Sequence, residues 1–471
     1  MSRLVVVSNR VTPITSRQVS SAGGLAVGVH AALKDTGGLW FGWSGETGEN
    51  PREEPKVFRT GKVTYGLVDL NTDDFEAYYS GFSNRTLWPL FHYRLDLASF
   101  EHQWYSSYRK VNQRFAEALF PLLRHDDVIW IHDYQLIPMA TELRRLGVTT
   151  RIGFFLHIPF PTPEIYLTLP WHRQLSADMA NYDLIGFQTG TDQREFSHYI
   201  EHELNGTVKR GTSVEALGRQ FTIGTYPIGI DVDDVMAMSR SAEARKHADR
   251  VRATLPGDRK LMIGVDRLDY TKGLIERLRA YEMLLQDYPA LRRQMVLMQI
   301  SAPSREDVPE YTEIRQQVEL MSGHINGTYS ESDWVPLRYI NRSHTRRVLT
   351  GFFRISRVCL VTPLRDGMNL VAEEYVASQD PDDPGVLVLS RFAGCARILE
   401  GALIVNPYDV YHVADTLHAA LNMPLAERQD RWQRMMQSTR RNDINAWRER
   451  FLRDLCRKTG DASEDGVAAP N

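Results

Sequence analysis

The chain has 471 residues, of which 42% are hydrophobic and 10% aromatic, and this balance excludes a largely disordered protein. Its 56 basic and 59 acidic residues give a net charge of −3, which argues against a nucleic-acid partner. Three cysteines are too few for a disulfide framework and favour a reducing cytoplasm. No uncharged apolar stretch is long enough to cross a membrane, and the length predicts two or three domains.

Short apolar runs predict strands along most of the chain, and helical periodicity fills the intervals. Continuous runs of this kind are typical of strands buried on both faces of a parallel sheet. The first series is Leu4–Val7, Val63–Asp69, Val128–Ile131, Ile152–Leu156, Leu184–Phe187 and Phe221–Tyr226. The second series is Leu261–Val265, Met295–Ile300, Val358–Val361, Val386–Leu389 and Leu403–Val405. Strands that alternate with helices predict an α/β doubly wound fold.

The charged, helix-prone segment Ser239–Pro256 separates the two series of strands. We therefore expect an N-terminal domain over residues 1–235 and a C-terminal domain over residues 236–445. Residues 459–471 are polar and predict a disordered tail.

The stretch TPLRDGMNLVAEEY, residues 362–375, follows the predicted strand Val358–Val361. Gly367 predicts a tight turn, and the apolar residues after it recur at helical spacing. A helix start presents free N–H groups and a partial positive charge, which suits a phosphate. Of the two adjacent glutamates, we expect Glu373 to lie on a solvated helix face.

Polar and charged residues also follow several other predicted strands. In open α/β sheets, ligands bind beyond the carboxyl ends of the strands, so two Rossmann-like domains that face each other would bring these residues together in a cleft. The residues concerned are Arg10, His132, Asp133, Tyr134, His157, Arg267, Lys272 and Arg305. Gly23 and Gly24 open a further predicted helix, but two adjacent glycines are only a weak nucleotide signal.

Long motifs across roughly residues 1–455 resemble those of bacterial trehalose-6-phosphate synthases, which are retaining GT-B glycosyltransferases. The motifs are VVVSNR, SAGGLAVG, GGLWFGWSGETG, LWPLFHYR, WIHDYQLIP, GFFLHIPFPTPEI, GFQT, YPIGID, VDRLDYTKGL, TPLRDGMNLVAEEY and ALIVNPYD. The resemblance implies a GT-B fold, with two Rossmann-like domains across a deep cleft and a last helix, about 446–458, that rejoins the first domain. It also implies a cytoplasmic homo-oligomer, a dimer or tetramer.

The same resemblance implies transfer of glucose from a nucleotide sugar, usually UDP-glucose, to glucose 6-phosphate, giving α,α-trehalose 6-phosphate. The diphosphate would lie at the helix start, Asp366 would hold donor glucose hydroxyls and Glu374 the ribose. Arg267 and Lys272 would neutralise the diphosphate, as cationic side chains do. The implied donor-binding residues are Gly23, Gly24, Arg267, Lys272, Asp366, Met368, Asn369, Leu370, Val371 and Glu374.

On the acceptor side, the resemblance implies that four side chains surround the 6-phosphate: Arg10, Tyr79, Trp88 and Arg305. Asp133 would contact acceptor hydroxyls. The motif alignment selects Tyr79 over its neighbour Tyr78. His157 resembles the residue beside the reacting glucose, and the role of its side chain is left open.

The implied catalytic residues are Arg267, Lys272, Asp366 and His157, and we find no nucleophile and general-acid pair of the kind that retaining glycosidases use. The family's front-face reaction needs positioning and electrostatic stabilisation of the leaving diphosphate, so we expect neither a metal nor another cofactor. The acidic run from Asp231 to Asp234 resembles a phosphatase motif only weakly.

Several points stay open at this level. Residues 335–344 are expected to border the base, and they leave UDP, ADP and GDP all possible. Cys395 replaces a more usual alanine, which leaves nearby donor contacts open. A pseudo-glycosyltransferase that couples cyclitols, or a non-catalytic sugar-phosphate sensor, are the alternative functions. The sensor would be expected to lose Arg267, Lys272 or Glu374, and all three are present.

Overall fold

A computed structural model describes residues 2–13, 33, 37–49, 52, 54–255, 257–305 and 308–457. Its strands form two sheets. The strands of the first are β1 Leu4–Arg10, β2 Gly38–Gly48, β3 Lys56–Thr60, β4 Val63–Asn71, β5 Val128–His132, β6 Ile152–Phe155, β7 Leu184–Phe187, β8 Thr207–Lys209, β9 Ser213–Ala216 and β10 Arg219–Thr225. Those of the second are β11 Lys260–Arg267, β12 Met295–Ala302, β13 Leu337–Ile340, β14 Val358–Val361, β15 Val386–Ser390 and β16 Leu403–Val405.

Helices connect these strands and cover the sheets. The α-helices are Thr72–Asp74, Trp88–Phe91, His102–Leu119, Met139–Arg145, Pro163–Tyr166, His172–Met179, Gly190–Glu203, Val232–Ser239, Ala242–Arg252, Leu274–Asp287, Pro309–Tyr329, Arg346–Ile355, Leu370–Ser378, Val410–Asn422, Leu425–Arg441 and Ile444–Cys456. A π-helical segment, Phe75–Leu87, joins the first two. In the part of the chain that the structure describes, no helix has the length and apolar character needed to cross a membrane.

The first sheet has the strand order β3-β4-β2-β1-β5-β6-β7-β10-β9-β8. Its strands from β4 to β10 are parallel, whereas β3 pairs antiparallel with β4 at one edge and β9 and β8 pair antiparallel at the other. The strand order of this sheet reverses between β1 and β5, because the chain adds strands to opposite sides of this point. The carboxyl ends of these two strands carry Arg10 and Asp133.

The second sheet has the order β13-β12-β11-β14-β15-β16, and all of its strands are parallel. This is the strand order 3-2-1-4-5-6 of the dinucleotide-binding Rossmann fold, in which the ligand crevice lies where the order reverses. Here the reversal lies between β11 and β14. The prediction of an α/β fold with two Rossmann-like sheets is confirmed.

The last described helix, Ile444–Cys456, packs on the first sheet. The rings of Trp447 and Phe451 each lie 4.7 Å from Trp130 of β5. Gly153 of β6 allows this approach, because a Cβ there would come within 2.9 Å of Phe451. The chain thus returns to the first sheet after it has completed the second.

The chain leaves the first sheet after β10, and the next helix, Val232–Ser239, packs against Arg346–Ile355 and Leu370–Ser378 of the second. Asp231 caps this helix, since its Oδ1 accepts from the Asp234 N–H at 3.0 Å. The boundary expected after residue 235 therefore falls inside a helix that packs with the second domain. The crossing itself lies earlier, between β10 and Asp231.

Every strand of the two predicted series is present. Sequence reasoning missed β2, β3, β8, β9 and β13. The predicted tail, residues 459–471, and the predicted donor residues Gly23 and Gly24 lie outside the described residues.

Candidate active site

The first component of the site is the connection after β14. Lys272 lies 2.6 Å from Asp366, measured from Nζ to Oδ2, and the Asn369 amide donates to the same oxygen at 3.0 Å. Asp366 Oδ1 accepts from the Gly367 N–H at 3.0 Å. The adjacent strands β11 and β14 therefore bring the predicted Lys272 and Asp366 into direct contact.

The charges of this pair stabilise one another. Burial alone would raise the pKa of Asp366, but the Lys272 ammonium and its hydrogen bond hold that pKa below its ordinary value. Asp366 is therefore a carboxylate at neutral pH, and its hydrogen-bonding capacity is only partly used by protein groups. Such a carboxylate can accept hydrogen bonds from sugar hydroxyls.

A cavity of about 290 Å³ adjoins this pair between the two domains. Residues of both domains line it: His157, Gln188, Ile228, Asp266, Arg267, Lys272, Asp366, Met368, Asn369, Leu370, Val371 and Glu374. Apart from Gly23 and Gly24, every residue of the predicted donor set is among them. The cavity also meets the start of the helix Leu370–Ser378, where first-turn N–H groups can bind an anion.

Gly367 brings the second domain against the first. A Cβ on this residue would lie 2.0 Å from the main-chain oxygen of His157, so only glycine allows this approach. The approach places His157 at the wall of the cavity.

The side chain of His157 is uncharged. Burial lowers its pKa to about 3, and its Nε2 lies 3.1 Å from Nδ1 of His132, whose pKa burial also lowers. A neutral imidazole cannot supply a positive charge to a phosphate. It can donate or accept a hydrogen bond.

Glu374 has a partner that sequence reasoning missed. Arg346 donates to its Oε1 from Nε at 3.1 Å and from Nη2 at 2.8 Å. This contact fixes the carboxylate at the edge of the cavity and leaves the second oxygen for a ligand. The helix Arg346–Ile355 supplies the arginine from 28 residues away, and that distance gives no local sequence signal.

The prediction for Glu373 is wrong. This side chain is fully buried rather than solvated. Burial raises its pKa well above the ordinary value. The helix Leu370–Ser378 packs against other helices on several sides, so it has little solvated face on which a second glutamate could lie.

Two residues of the predicted acceptor set, Trp88 and Arg305, lie in direct contact. The guanidinium of Arg305 lies 3.9 Å from the centre of the Trp88 ring, and that of Arg267 lies 5.4 Å from it. Arg305 also donates to the hydroxyls of Tyr311 and, at 3.2 Å, Tyr134. Cations from the second domain thus stack on an aromatic face of the first.

Arg10 and Tyr79 share a second ring, Trp43. The guanidinium of Arg10 lies 5.7 Å from the centre of this ring, and the Tyr79 ring lies 5.8 Å from it. Tyr78 is fully buried and donates to Asn9 Oδ1 at 2.6 Å. Tyr79 is therefore the tyrosine of this pair that can reach a ligand.

The hydroxyl of Tyr79 is one of several groups that raise the pKa of Arg305. Burial disfavours the Arg305 cation, but the hydroxyls of Tyr134, Tyr311 and Tyr79, together with Asp269, raise its pKa well above the ordinary value. Arg305 therefore stays charged in a buried position.

Asp133 lies between the acceptor side and His157. Its Oδ1 accepts from the His157 N–H at 3.1 Å, and its φ of 78° is in the left-handed region. Burial raises the pKa of Asp133 to about 7, against the opposing effect of main-chain donors and of the Arg305 and Arg267 cations. Asp133 thus titrates near neutral pH.

Sequence reasoning also did not select Asp269. This fully buried carboxylate lies 3.7 Å from Arg267 and 3.9 Å from Arg305. Burial would raise its pKa, but Arg267, Arg305 and Lys272 lower the pKa to about 2. The only available signal was its position after β11, beside the basic residues already selected.

Three further expectations concern neighbouring segments. Cys395 is buried, and its N–H donates to the Met368 oxygen at 3.0 Å, so it supports the donor connection through its main chain. Of the segment 335–344, Leu337–Ile340 forms the edge strand β13, and the segment is absent from the described lining of the cavity. Its contact with a base stays a prediction.

Within the described residues, no group of three or more His, Cys, Asp or Glu side chains could hold a metal.

The family model Glycosyltransferase family 20 matches residues 2–457 of the chain. The trehalose-6-phosphate synthase of Enterobacter sp. (strain 638) is 50% identical over 467 residues, which cover 99% of this chain and 98% of that protein. The trehalose-6-phosphate synthase of Sinorhizobium fredii (strain NBRC 101917 / NGR234) is 48% identical, over 97% of this chain and 98% of that one.

Solved structures are similar over nearly the whole chain. The UDP-forming α,α-trehalose-phosphate synthase of Burkholderia xenovorans, solved with glucose-6-phosphate, has a TM-score of 0.93 and 50% identity and covers 96% of this chain and 100% of its own. An E. coli protein solved with UDP-2-fluoro glucose has a TM-score of 0.92 and 49% identity, over 96% of this chain and 99% of its own.

Proposed function

Because the chain belongs to glycosyltransferase family 20, we propose that it transfers glucose from UDP-glucose to glucose 6-phosphate. The products are UDP and α,α-trehalose 6-phosphate, formed with retention at the donor anomeric carbon. Relatives that are about 50% identical to this chain are named for this activity. Similar solved structures contain glucose-6-phosphate in one case and UDP-2-fluoro glucose in another.

One observation carries the proposal. Arg267, Lys272 and a helix start converge on one cavity, and Arg305 and Trp88 stand beside it on the acceptor side. A site with this charge distribution suits two anionic substrates, a nucleotide diphosphate and a sugar phosphate.

On the donor side, the diphosphate lies at the start of Leu370–Ser378, bound by main-chain N–H groups near Asn369. Arg267 and Lys272 neutralise it. Asp366 accepts from glucose hydroxyls, and Glu374 accepts from the ribose with the oxygen that Arg346 does not use. The contacts of Lys272 with Asp366 and of Arg346 with Glu374 support these roles.

On the acceptor side, Arg10, Tyr79, Trp88 and Arg305 surround the 6-phosphate, and Asp133 contacts sugar hydroxyls. The stacking of Arg305 on Trp88 and the position of the exposed Arg10 over the Trp43 ring support this arrangement. The two arginines come from different domains, so a bound phosphate joins the domains across the cleft.

The reaction proceeds on one face of the donor sugar. The acceptor hydroxyl attacks the anomeric carbon from the side that the diphosphate leaves, and a diphosphate oxygen takes the hydroxyl proton. Arg267, Lys272 and the helix start stabilise the charge that develops on the leaving group. Neutral His157 and ionised Asp366 orient the donor glucose, and these groups perform their roles without a metal.

The domain assignment has a functional meaning within this proposal. The predicted N-terminal domain, residues 1–235 rejoined by the helix near 446–458, supplies most of the acceptor site. The predicted C-terminal domain, residues 236–445, supplies most of the donor site and contributes Arg305 to the acceptor site. The packing of Trp447 and Phe451 on the first sheet supports the return of the last helix.

We further propose that the chain works in the cytoplasm as a homo-oligomer, a dimer or tetramer. The sparse cysteines support the compartment, and the resemblance to the family supports the assembly. Light scattering coupled to gel filtration measures the mass directly, and a monomeric mass would contradict the assembly.

We propose neither cyclitol coupling nor a silent sensor. The relatives carry the synthase activity in their names. Arg267 and Lys272, which a sensor would be expected to lose, line the cavity.

The test is product identification by NMR. The purified chain is incubated with glucose 6-phosphate and either UDP-, ADP- or GDP-glucose, with acceptor-free reactions as controls. We expect UDP-glucose to be the preferred donor and the product to show two α-configured anomeric centres. Failure of all three donors to give a disaccharide phosphate, or a β-configured product, would contradict the proposal.

A further inference from the structure

Asp269 follows β11 and is fully buried beside the groups assigned to donor and acceptor. Its Oδ1 accepts from the Thr271 N–H at 3.0 Å and from the Thr271 hydroxyl at 2.9 Å. Its Oδ2 lies 3.7 Å from Arg267, 3.9 Å from Arg305 and 3.3 Å from the Tyr311 hydroxyl. Thr271 holds one oxygen in place, so the other oxygen has a fixed position between the two guanidinium groups.

The two arginines depend on Asp269 to different degrees. The Arg305 side chain is 7% exposed and has three other anchors, the ring of Trp88 and the hydroxyls of Tyr134 and Tyr311. The Arg267 side chain is 46% exposed, and among the described residues Asp269 is its sole ion-pair partner. Asp269 is therefore the main group that orients Arg267.

We propose that Asp269 is a positioning residue that orients Arg267 toward the donor diphosphate and sets its spacing from Arg305. This inference rests on the proposed function, because it uses the assignment of Arg267 to the donor and of Arg305 to the acceptor phosphate. Asp269 touches neither substrate and acts through Arg267.

Neutralising Asp269 is expected to affect turnover and substrate binding differently. Asp269 competes with substrate phosphates for the same cations in the ground state, so its neutralisation by Asp269→Asn removes a competing anion and does not weaken the attraction for either substrate. The same change removes the ion-pair partner of Arg267 and leaves only the more distant ring of Trp88, 5.4 Å away, to orient it. Because a small displacement of a charge-stabilising group costs catalysis heavily, we expect kcat to fall by at least about tenfold.

The experiment measures kcat for the wild type, Asp269→Asn, Arg267→Ala and the double variant. Calorimetry gives the Kd of UDP and of glucose 6-phosphate for each protein. We expect Asp269→Asn to lower kcat about tenfold or more in the wild-type background, but less than about twofold in the Arg267→Ala background, since residues that act through one another are not additive. Both Kd values stay equal to those of the wild type or become lower.

Asp178→Asn is the matched control. Asp178 is also a buried carboxylate that pairs with an arginine, Arg109, and accepts from a threonine hydroxyl, Thr141 at 2.7 Å, but it lies on the helix His172–Met179 away from the cavity. Its variant reports the cost of losing a buried charge alone. We expect its kcat per folded molecule to equal that of the wild type.

A kcat within about twofold of the wild type, a full additive loss in the double variant, or a loss of both affinities in proportion to kcat would each overturn the inference. If Asp269→Asn does not fold, Thr271→Val takes its place: it removes the hydroxyl bond to Asp269 Oδ1 and keeps the main-chain one, so we expect a smaller fall in kcat than in Asp269→Asn, and an unchanged kcat would overturn the inference. A wild-type chain that makes no trehalose 6-phosphate would overturn the proposed function. Normal wild-type turnover with an unaffected Asp269→Asn would overturn only this inference.

Discussion

At the scale of single residues, the site depends on charges that are held in place by other charges. Lys272 is nearly buried against Asp366, whereas Arg267 is half exposed and free to meet a ligand. In the proposed function, both cations lie where negative charge develops as the diphosphate leaves. Each is therefore expected to contribute more to the transition state than to the bound substrate.

We expect Arg267→Ala and Lys272→Ala each to lower kcat by about 10²–10³, the size of effect seen when a preorganised charge-stabilising group is removed. The rates are referred to the folded fraction, because Lys272→Ala leaves Asp366 without its partner. Arg434→Ala is the control, since Arg434 pairs with Asp430 on an exposed helix face. Near-normal kcat/KM in either cavity variant would place the diphosphate elsewhere.

Glu374→Gln is expected to weaken UDP binding by about tenfold, because a charged acceptor is replaced by a neutral one at the ribose. Arg346→Ala should act in the same direction, since it frees the Glu374 side chain. The surface pair Glu427 and Arg431 provides matched controls, Glu427→Gln and Arg431→Ala. Calorimetry with UDP measures all four variants, and unchanged UDP affinity in Glu374→Gln would show that this residue does not bind the ribose.

Asp133 predicts a pH dependence. Its pKa of about 7 is above that of an ordinary carboxyl, so it becomes protonated, and a poorer acceptor, as the pH falls through that value. We therefore expect kcat/KM for glucose 6-phosphate to decrease below pH about 7. The phosphate group of the substrate also titrates, at about pH 6, and this titration alone changes kcat/KM with pH. The pH dependence of kcat/KM in Asp133→Asn shows the effect of the substrate alone. An identical pH dependence in the wild type and in this variant would exclude Asp133 as the titrating group.

At the scale of elements, the connection after β14 fixes the separation of the two domains through Gly367. A Cβ at this position would lie 2.0 Å from the His157 oxygen, so Gly367→Ala must push the two walls of the cavity apart. We expect kcat/KM to fall by at least about tenfold, because catalysis is sensitive to displacements of about 1 Å.

Gly323→Ala is the matched control for that variant. Gly323 lies on the exposed side of the helix Pro309–Tyr329, and a Cβ there meets nothing within 4 Å. We expect unchanged activity and a gain of about 0.5–1 kcal/mol in unfolding free energy from helix propensity. Equal activity in Gly367→Ala and the wild type would show that the close contact is not needed.

The elements also show which structural features the sequence can predict. Continuous apolar runs identified the strands buried on both faces, such as β11 and β14. They did not identify the short strands β3, β8 and β9, of which β3 and β8 form the two edges of the first sheet, or β2, which contains four glycines. Edge strands need no continuous apolar run, because one side of each is in contact with solvent.

The same limit applies to the site. The rule that ligands bind beyond strand ends brought together Arg267, Lys272 and Asp366. It gave no pairing for Arg346 with Glu374, because that pairing depends on how two helices pack. The expectation of a solvated helix face for Glu373 was wrong, since the burial of a helix on several sides follows from tertiary structure.

At the scale of the whole molecule, contacts across the cleft hold the two domains together. Arg305 of the second domain donates to Tyr134 of the first at 3.2 Å, and Arg365 donates to the Phe160 oxygen at 3.0 Å. Phosphate bound to Arg305 and Arg10 would add a further link between the domains. Its binding energy can then contribute to closure and to kcat as well as to affinity.

The measurement that tests the account most directly is kcat/KM with UDP-glucose for two acceptors, glucose 6-phosphate and free glucose. Free glucose offers no phosphate to the guanidinium groups of Arg10 and Arg305 in the closed cleft, so we expect it to be used at least about 10⁴-fold less well. In Arg10→Ala and Arg305→Ala, the ratio of kcat/KM for glucose 6-phosphate to kcat/KM for glucose should decrease, while the affinity for UDP stays nearly unchanged. Comparable use of both acceptors by the wild type, or undiminished preference in both variants, would contradict the account.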